Sequence, residues 1–217
     1  MVGDGFQRLE DLIVCVGFPG EMHSLKEFVT PKQVMVQQAY LGIVSETDDI
    51  MLGCWDWVCT QIEYPRRTYN QFTDYHELRA FRMRRLRTVG EYFQMPFQTL
   101  VIGLGDCFDK TALLVSLLRN SGATAYGVLG MFRAADVIDH AWAVVERSGR
   151  RYILESTLNR AVTWKTEADL PEYSPEVYFN EAEVWSRDGV ADSLFCNTRV
   201  GCEERARLVR RCWQCSH

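Results

Sequence analysis

No stretch of the chain stays apolar long enough to cross a bilayer as a helix. There is no internal repeat, no low-complexity tract and no acidic loop dense enough to read as a calcium site. Positive charge is not in excess either. Lys and Arg number 24 against 29 Asp and Glu, a net charge of −5 at pH 7, which argues against a nucleic acid or an anionic membrane as partner. The opening residues, Met1 to Arg8, lack a cationic segment followed by an apolar one, so no export signal is read and a cytoplasmic location is expected. Histidine is scarce. With four in 217 residues, any imidazole chemistry falls to His23, His76, His140 or His217.

What is present is ordinary for a globular protein: 47% hydrophobic and 24% charged residues. The length suits one domain, 1–217, with a core of about 45–160 and a C-terminal extension, 161–217, of open role. Eight cysteines without an export signal read as free thiols or metal ligands rather than a disulfide framework.

The most ordered pattern is Gly103-Leu104-Gly105-Asp106-Cys107, followed by an apolar helix that stops at Gly122. Asp106 suits an N-cap, Asp109 favours the positive end of the helix dipole, and Arg119 and Gly122 suit the other end. Every residue from Ala112 to Leu118 except Ser116 is apolar, so the helix should be buried on most sides. Cys107 then stands at its first turn, where unpaired backbone N–H groups favour a thiolate.

Other elements follow from period and punctuation. Pro31 to Ile43 reads as a short helix, Ser45 to Asp49 as a helix start leading into Ile50 to Tyr64, where Ile50, Cys54, Trp57, Val58 and Ile62 recur at helical spacing and Pro65 ends the segment, and Pro96 as the start of one short helical turn. Strands are expected over Ala123–Met131, Asp139–Glu146 and Arg151–Thr157, with a hairpin turn at Ser148-Gly149. Val177–Phe179 and Glu183–Trp185 read as short strands, and 203–211 as a basic helix. A helix followed by an antiparallel meander makes the fold class α+β.

Cysteine catalysis needs a thiolate, an imidazole to exchange a proton, and a group that orients the imidazole. His140 opens the strand that should pack on the helix start. Glu155 is the acidic residue in the next strand, in an otherwise apolar stretch. Taken singly, each has a plainer reading: Cys107 as a small core residue, His140 as a satisfied strand histidine, Glu155 as the partner of an arginine.

Taken together, Gly105-Asp106-Cys107, Ala112-Leu113-Leu114, His140-Ala141-Trp142 and Leu154-Glu155-Ser156-Thr157 resemble the transglutaminase-like superfamily of cysteine enzymes. The stretch from Glu91 through Met95-Pro96 to Leu100 is similar to the lead-in of microbial members. The resemblance implies a papain-like core, the cysteine helix packed on an antiparallel sheet. It also implies a catalytic triad of Cys107, His140 and Glu155, with Glu standing where the family usually has Asp. The implied chemistry is attack on a protein or peptide amide through a thioester, with hydrolysis favoured over transamidation. The alternative is a non-catalytic protein-binding module on the same fold.

No cofactor is expected. Cys212-x-x-Cys215, with His217, fits a zinc knuckle, but its partner pair, Cys196 and Cys202, is loosely spaced; the other reading is a tail of reduced thiols, and no metal is assigned. Cys54 and Cys59 read as small core residues. The arginines between His76 and Thr88 read as a solvated face or a rim for an anionic partner. The backbone N–H of Cys107 is the natural first oxyanion donor, with Gln61, Tyr64 or Gln71 as side-chain candidates.

Overall fold

The computed structural model describes residues 5–15, 22–64, 93–133, 137–157 and 164–188. Four helices lie among them: α1 (Val34–Val44), α2 (Ile50–Gln61), α3 (Pro96–Ile102) and α4 (Cys107–Asn120). Strands β1 (Phe6–Leu9), β4 (Ala125–Arg133), β5 (Val137–Arg147), β6 (Arg150–Leu154), β7 (Tyr173–Phe179) and β8 (Val184–Arg187) form one sheet in the order β1-β8-β7-β4-β5-β6. All its pairings are antiparallel. A small hairpin, β2 (Ile13–Cys15) with β3 (Met22–Ser24), stands apart from it. The architecture is α+β, as the run of helix and strand signals implies.

Helix α4 is the hub. Phe108 to Leu118 are all buried, and α1, α2, α3, β4 and β5 pack against it. Burial on every side is what an almost wholly apolar helix requires. Its start is fixed by Asp106, whose carboxylate accepts from the backbone N–H groups of Phe108 (3.0 Å) and Asp109 (3.1 Å). Its end is fixed by Gly122, whose φ of 79° is the left-handed conformation that closes helices.

Alternation sorts β5 between two layers. Ala141, Ala143 and Val145 join the core beneath the helices. Trp142 and Val144 join a second cluster with Tyr126, Val128, Phe132, Ile153, Tyr173 and Tyr178 on the other face. The small Ala side chains let the helix layer approach the sheet closely, and the aromatic residues fill the opposite side.

Several elements differ from the sequence-based expectation. The sheet has six strands: the two short strands read at Val177–Phe179 and Glu183–Trp185 join the meander as β7 and β8, and Phe6–Leu9, for which no strand was expected, pairs at the edge. The N-terminal stretch has little period of its own, and its strand is defined only by the distant partner β8. Helix α1 begins at Val34 and not Pro31, with the Gln33 side chain accepting from the Val36 N–H at 3.0 Å. Strand β6 stops at Leu154, so Glu155 lies just beyond it. The hairpin at Ser148-Gly149 is as expected, with φ of 52° and 75°, the two left-handed residues that a tight antiparallel turn calls for.

Candidate active site

Cys107 is the first residue of α4. It is half-buried and packs against the main core. The turn before it is tied down by an unexpected buried anchor. Asp109, 0% exposed, accepts from the Gln94 backbone N–H (2.8 Å), the Gln94 side-chain amide (2.6 Å) and the Asp106 N–H (3.2 Å). The Gln94 amide also donates to the Leu104 carbonyl at 3.1 Å. These bonds fasten the residues just before α3 to the Gly103–Cys107 turn. The sequence showed Asp109 only as a dipole-favourable acid; an acid three places after an N-cap is usually exposed, and nothing local marks this one as buried.

His140 is buried on β5, and its Nε2 donates to Oε2 of Glu155 at 2.8 Å. Glu155 is equally buried. Its Oε2 also accepts from the Tyr173 hydroxyl at 3.1 Å, and its Oε1 from the Thr157 N–H at 2.7 Å. Burial alone would push this carboxyl up. The hydrogen bond and charge of His140, with the Thr157 and Tyr173 donors, outweigh burial and hold it below the ordinary carboxylate range. The carboxylate is therefore the acceptor and the imidazole the donor, which leaves Nδ1 as the nitrogen able to exchange a proton with a thiol.

The Glu155 main chain is gripped by α2. The Trp55 indole N–H donates to the Glu155 carbonyl at 2.7 Å, and the Cys59 thiol lies 3.8 Å from the Ser156 carbonyl. One turn after Cys107, the buried Lys110 ammonium donates to the Ile62 carbonyl at 2.7 Å and lies within electrostatic reach of Cys59 and Glu155. Burial lowers its pKa. Rings surround the imidazole: Phe132 at 5.7 Å, Trp142 stacked at 6.1 Å and Tyr173 at 6.5 Å between centroids.

Of the expected site residues, His140 and Glu155 are in direct contact. Cys107 is held at the tip of α4, which packs on the strand carrying His140. Cys54 is fully buried and Cys59 half-buried. Desolvation pushes the first thiol up to about 12 and the second to about 11, so both suit a packing role. Among the oxyanion candidates, Gln61 is exposed with its amide 3.4 Å from the Thr60 hydroxyl, and Tyr64 is half-buried. Gln71, the arginines of 76–88 and the C-terminal cysteines with His217 lie outside the described residues. Among the described residues no three His, Cys, Asp or Glu side chains gather as a metal site, and no helix is long and apolar enough to cross a membrane.

Nothing in the sequence around Tyr173 or Trp55 links them to this site. Tyr173 is 18 residues beyond Glu155 and reaches it only through sheet order. Lys110, a lone lysine in a largely apolar helix, is the one signal the sequence carries.

A solved structure of a proposed cysteine protease from Cytophaga hutchinsonii is similar over 71% of this chain and 48% of that one, with 18% identity and a TM-score of 0.44. LapG of Legionella pneumophila is similar over 80% and 91%, with 16% identity and a TM-score of 0.43. A UPF0252 protein of Archaeoglobus fulgidus is 31% identical over 100 residues, which are 46% of this chain and 27% of the relative, so the chain spans about a quarter of that relative's length. Residues 43–164, more than half of the chain, match the model of the transglutaminase-like domain, and the chain belongs to that family.

Proposed function

We propose that the chain is a cysteine hydrolase or acyltransferase acting on protein or peptide amide bonds, with Cys107 as nucleophile, His140 as acid and base, and Glu155 as the group that orients His140. The observation that carries this reading is the buried 2.8 Å bond from His140 Nε2 to the ionised Glu155. A carboxylate fixed on one ring nitrogen sets the tautomer and stabilises an imidazolium, the state a thiolate partner requires.

The Cys107 thiolate attacks the amide carbonyl carbon, and the oxygen takes the charge beside the backbone N–H of Cys107. The C–N bond breaks as His140 gives its proton to the leaving amine, leaving a thioester. Water attacks that thioester while His140 takes its proton. The acid is released and the thiolate restored; a primary amine in place of water gives transamidation. Hydrolysis is the favoured outcome.

The same reading takes 1–217 as one domain. It keeps the expectation of a cytoplasmic location. The test is a peptide-library and labelled-amine assay on wild type and Cys107→Ala. Loss of turnover by about a thousandfold or more is expected on removing the nucleophile. A Cys107→Ala protein with undiminished turnover overturns the mechanism.

A further inference from the structure

We propose that Tyr173 is a positioning residue for this site, its hydroxyl fixing the Glu155 carboxylate and keeping it aimed at His140. The inference rests on His140 and Glu155 acting together with Cys107. Tyr173 donates at 3.1 Å to Oε2, the same oxygen that His140 grips at 2.8 Å. Thr157 covers the other oxygen at 2.7 Å. A glutamate has one more rotatable bond than an aspartate, and donors on both oxygens remove that freedom.

The fold makes room for this contact. Tyr173 stands on β7, and β4 separates it from His140 on β5. The β4 residue opposite His140 is Gly130, which also pairs with Pro175 of β7, at a shift in register. A side chain there would collide with the Ser174 carbonyl and come within 2.9 Å of the Trp142 ring. With only hydrogen at Gly130, Trp142 and Tyr173 close over β4, edge to face at 5.0 Å. Phe132 braces the Tyr173 ring at 4.8 Å. Tyr173 is 4% exposed, so its hydroxyl has no water to fall back on.

The titratable groups facing Glu155 are His140 from β5, Tyr173 from β7, Lys110 from α4 and Cys59 from α2, with Asp56 facing Cys59. A buried carboxylate that loses a hydroxyl donor takes up its proton at higher pH. Once protonated it no longer holds His140 as imidazolium, and the Cys107 thiolate is lost.

The test is Tyr173→Phe in the full chain, which keeps the ring and removes one oxygen. Iodoacetamide alkylation of Cys107 is followed by mass spectrometry from about pH 4 to about pH 8, with a thermal melt as a check of fold. The acid limb of the alkylation profile should move up by about one pH unit, a tenfold slower reaction at the wild-type midpoint. A limb that superimposes on wild type overturns the role of Tyr173 and leaves the triad standing. A wild-type Cys107 with no reactivity in mild acid overturns both. If the Phe variant does not fold, wild type supplies the reading: the His140 Nε2 proton should stay downfield by NMR below about pH 4, where an ordinary carboxylate takes up its proton. Its disappearance above that value overturns the proposal.

Discussion

The indole N–H of Trp55 donates to the backbone carbonyl of Glu155 at 2.7 Å, joining residues one hundred positions apart. Helix α2 thus holds from behind the main chain whose side chain faces His140. Several consequences can be measured.

The first concerns Glu155 and pH. Its carboxyl is held below its ordinary value in the fold, so near pH 4 the folded chain binds fewer protons at this position than the unfolded chain. The stability this contributes is fully present above the unfolded value of about 4.3 and is lost as pH falls through the lower folded value. Urea unfolding of wild type should weaken on acidification through that window, and Glu155→Gln should show a smaller weakening. Equal slopes for the two proteins would contradict the buried ion pair.

Thiol reactivity gives a second expectation. Burial holds Cys54 and Cys59 at about 12 and about 11, so neither carries appreciable thiolate at neutral pH. Of the three described cysteines, native protein treated with iodoacetamide near pH 6 should label at Cys107 first, and Cys54 and Cys59 should label only after denaturation. Peptide mapping that finds Cys59 labelled as fast as Cys107 would refute this.

Asp109→Ala should be costly. It strands the Gln94 backbone N–H and side-chain amide and the Asp106 N–H, and a buried donor left without its partner costs about 1–3 kcal/mol. A loss of about 3 kcal/mol in urea unfolding is expected, with slower Cys107 alkylation as the turn before α4 loosens. Asp109→Asn, which keeps one acceptor oxygen, should lose less. An Ala variant as stable as wild type would show that the anchor does not hold the turn.

Gly130→Ala tests the sheet around His140. The added methyl meets the Ser174 carbonyl, which is backbone and cannot swing aside. Overpacking of this kind costs about 1–3 kcal/mol, and β7 should be displaced from β4. A lower melting temperature together with slower Cys107 alkylation is expected. Ala at exposed Gly42, where nothing stands within 4 Å of the new methyl, should not destabilise the protein.

The sequence was most legible where local chemistry decides the outcome. Asp106, the apolar run to Leu118 and Gly122 define α4 at both ends, and Ser148-Gly149 defines its hairpin. His140 and Glu155 could be paired because β5 and β6 are consecutive strands joined by a two-residue turn, which fixes their neighbourhood. Phe6–Leu9 and Tyr173 were not legible for the opposite reason. Each is placed by a strand far away in the chain, and neither carries a period or a cap that reveals the partner. Asp109 and Lys110 were readable as residue types but not as buried ones, since both owe their burial to α2, to α3 and to the residues just before α3.

The pairing of Phe6 with Arg187 and of Leu9 with Val184 sets an order of events during synthesis. The helices and the β4–β5–β6 hairpins can assemble from neighbouring segments as the chain emerges. The first strand must wait, unpaired, until the last described one has been made. Closing so long a loop is slow and entropically unfavourable, so β1 is the piece most exposed to mispairing in a nascent chain and the first whose amides should exchange with solvent in the finished one.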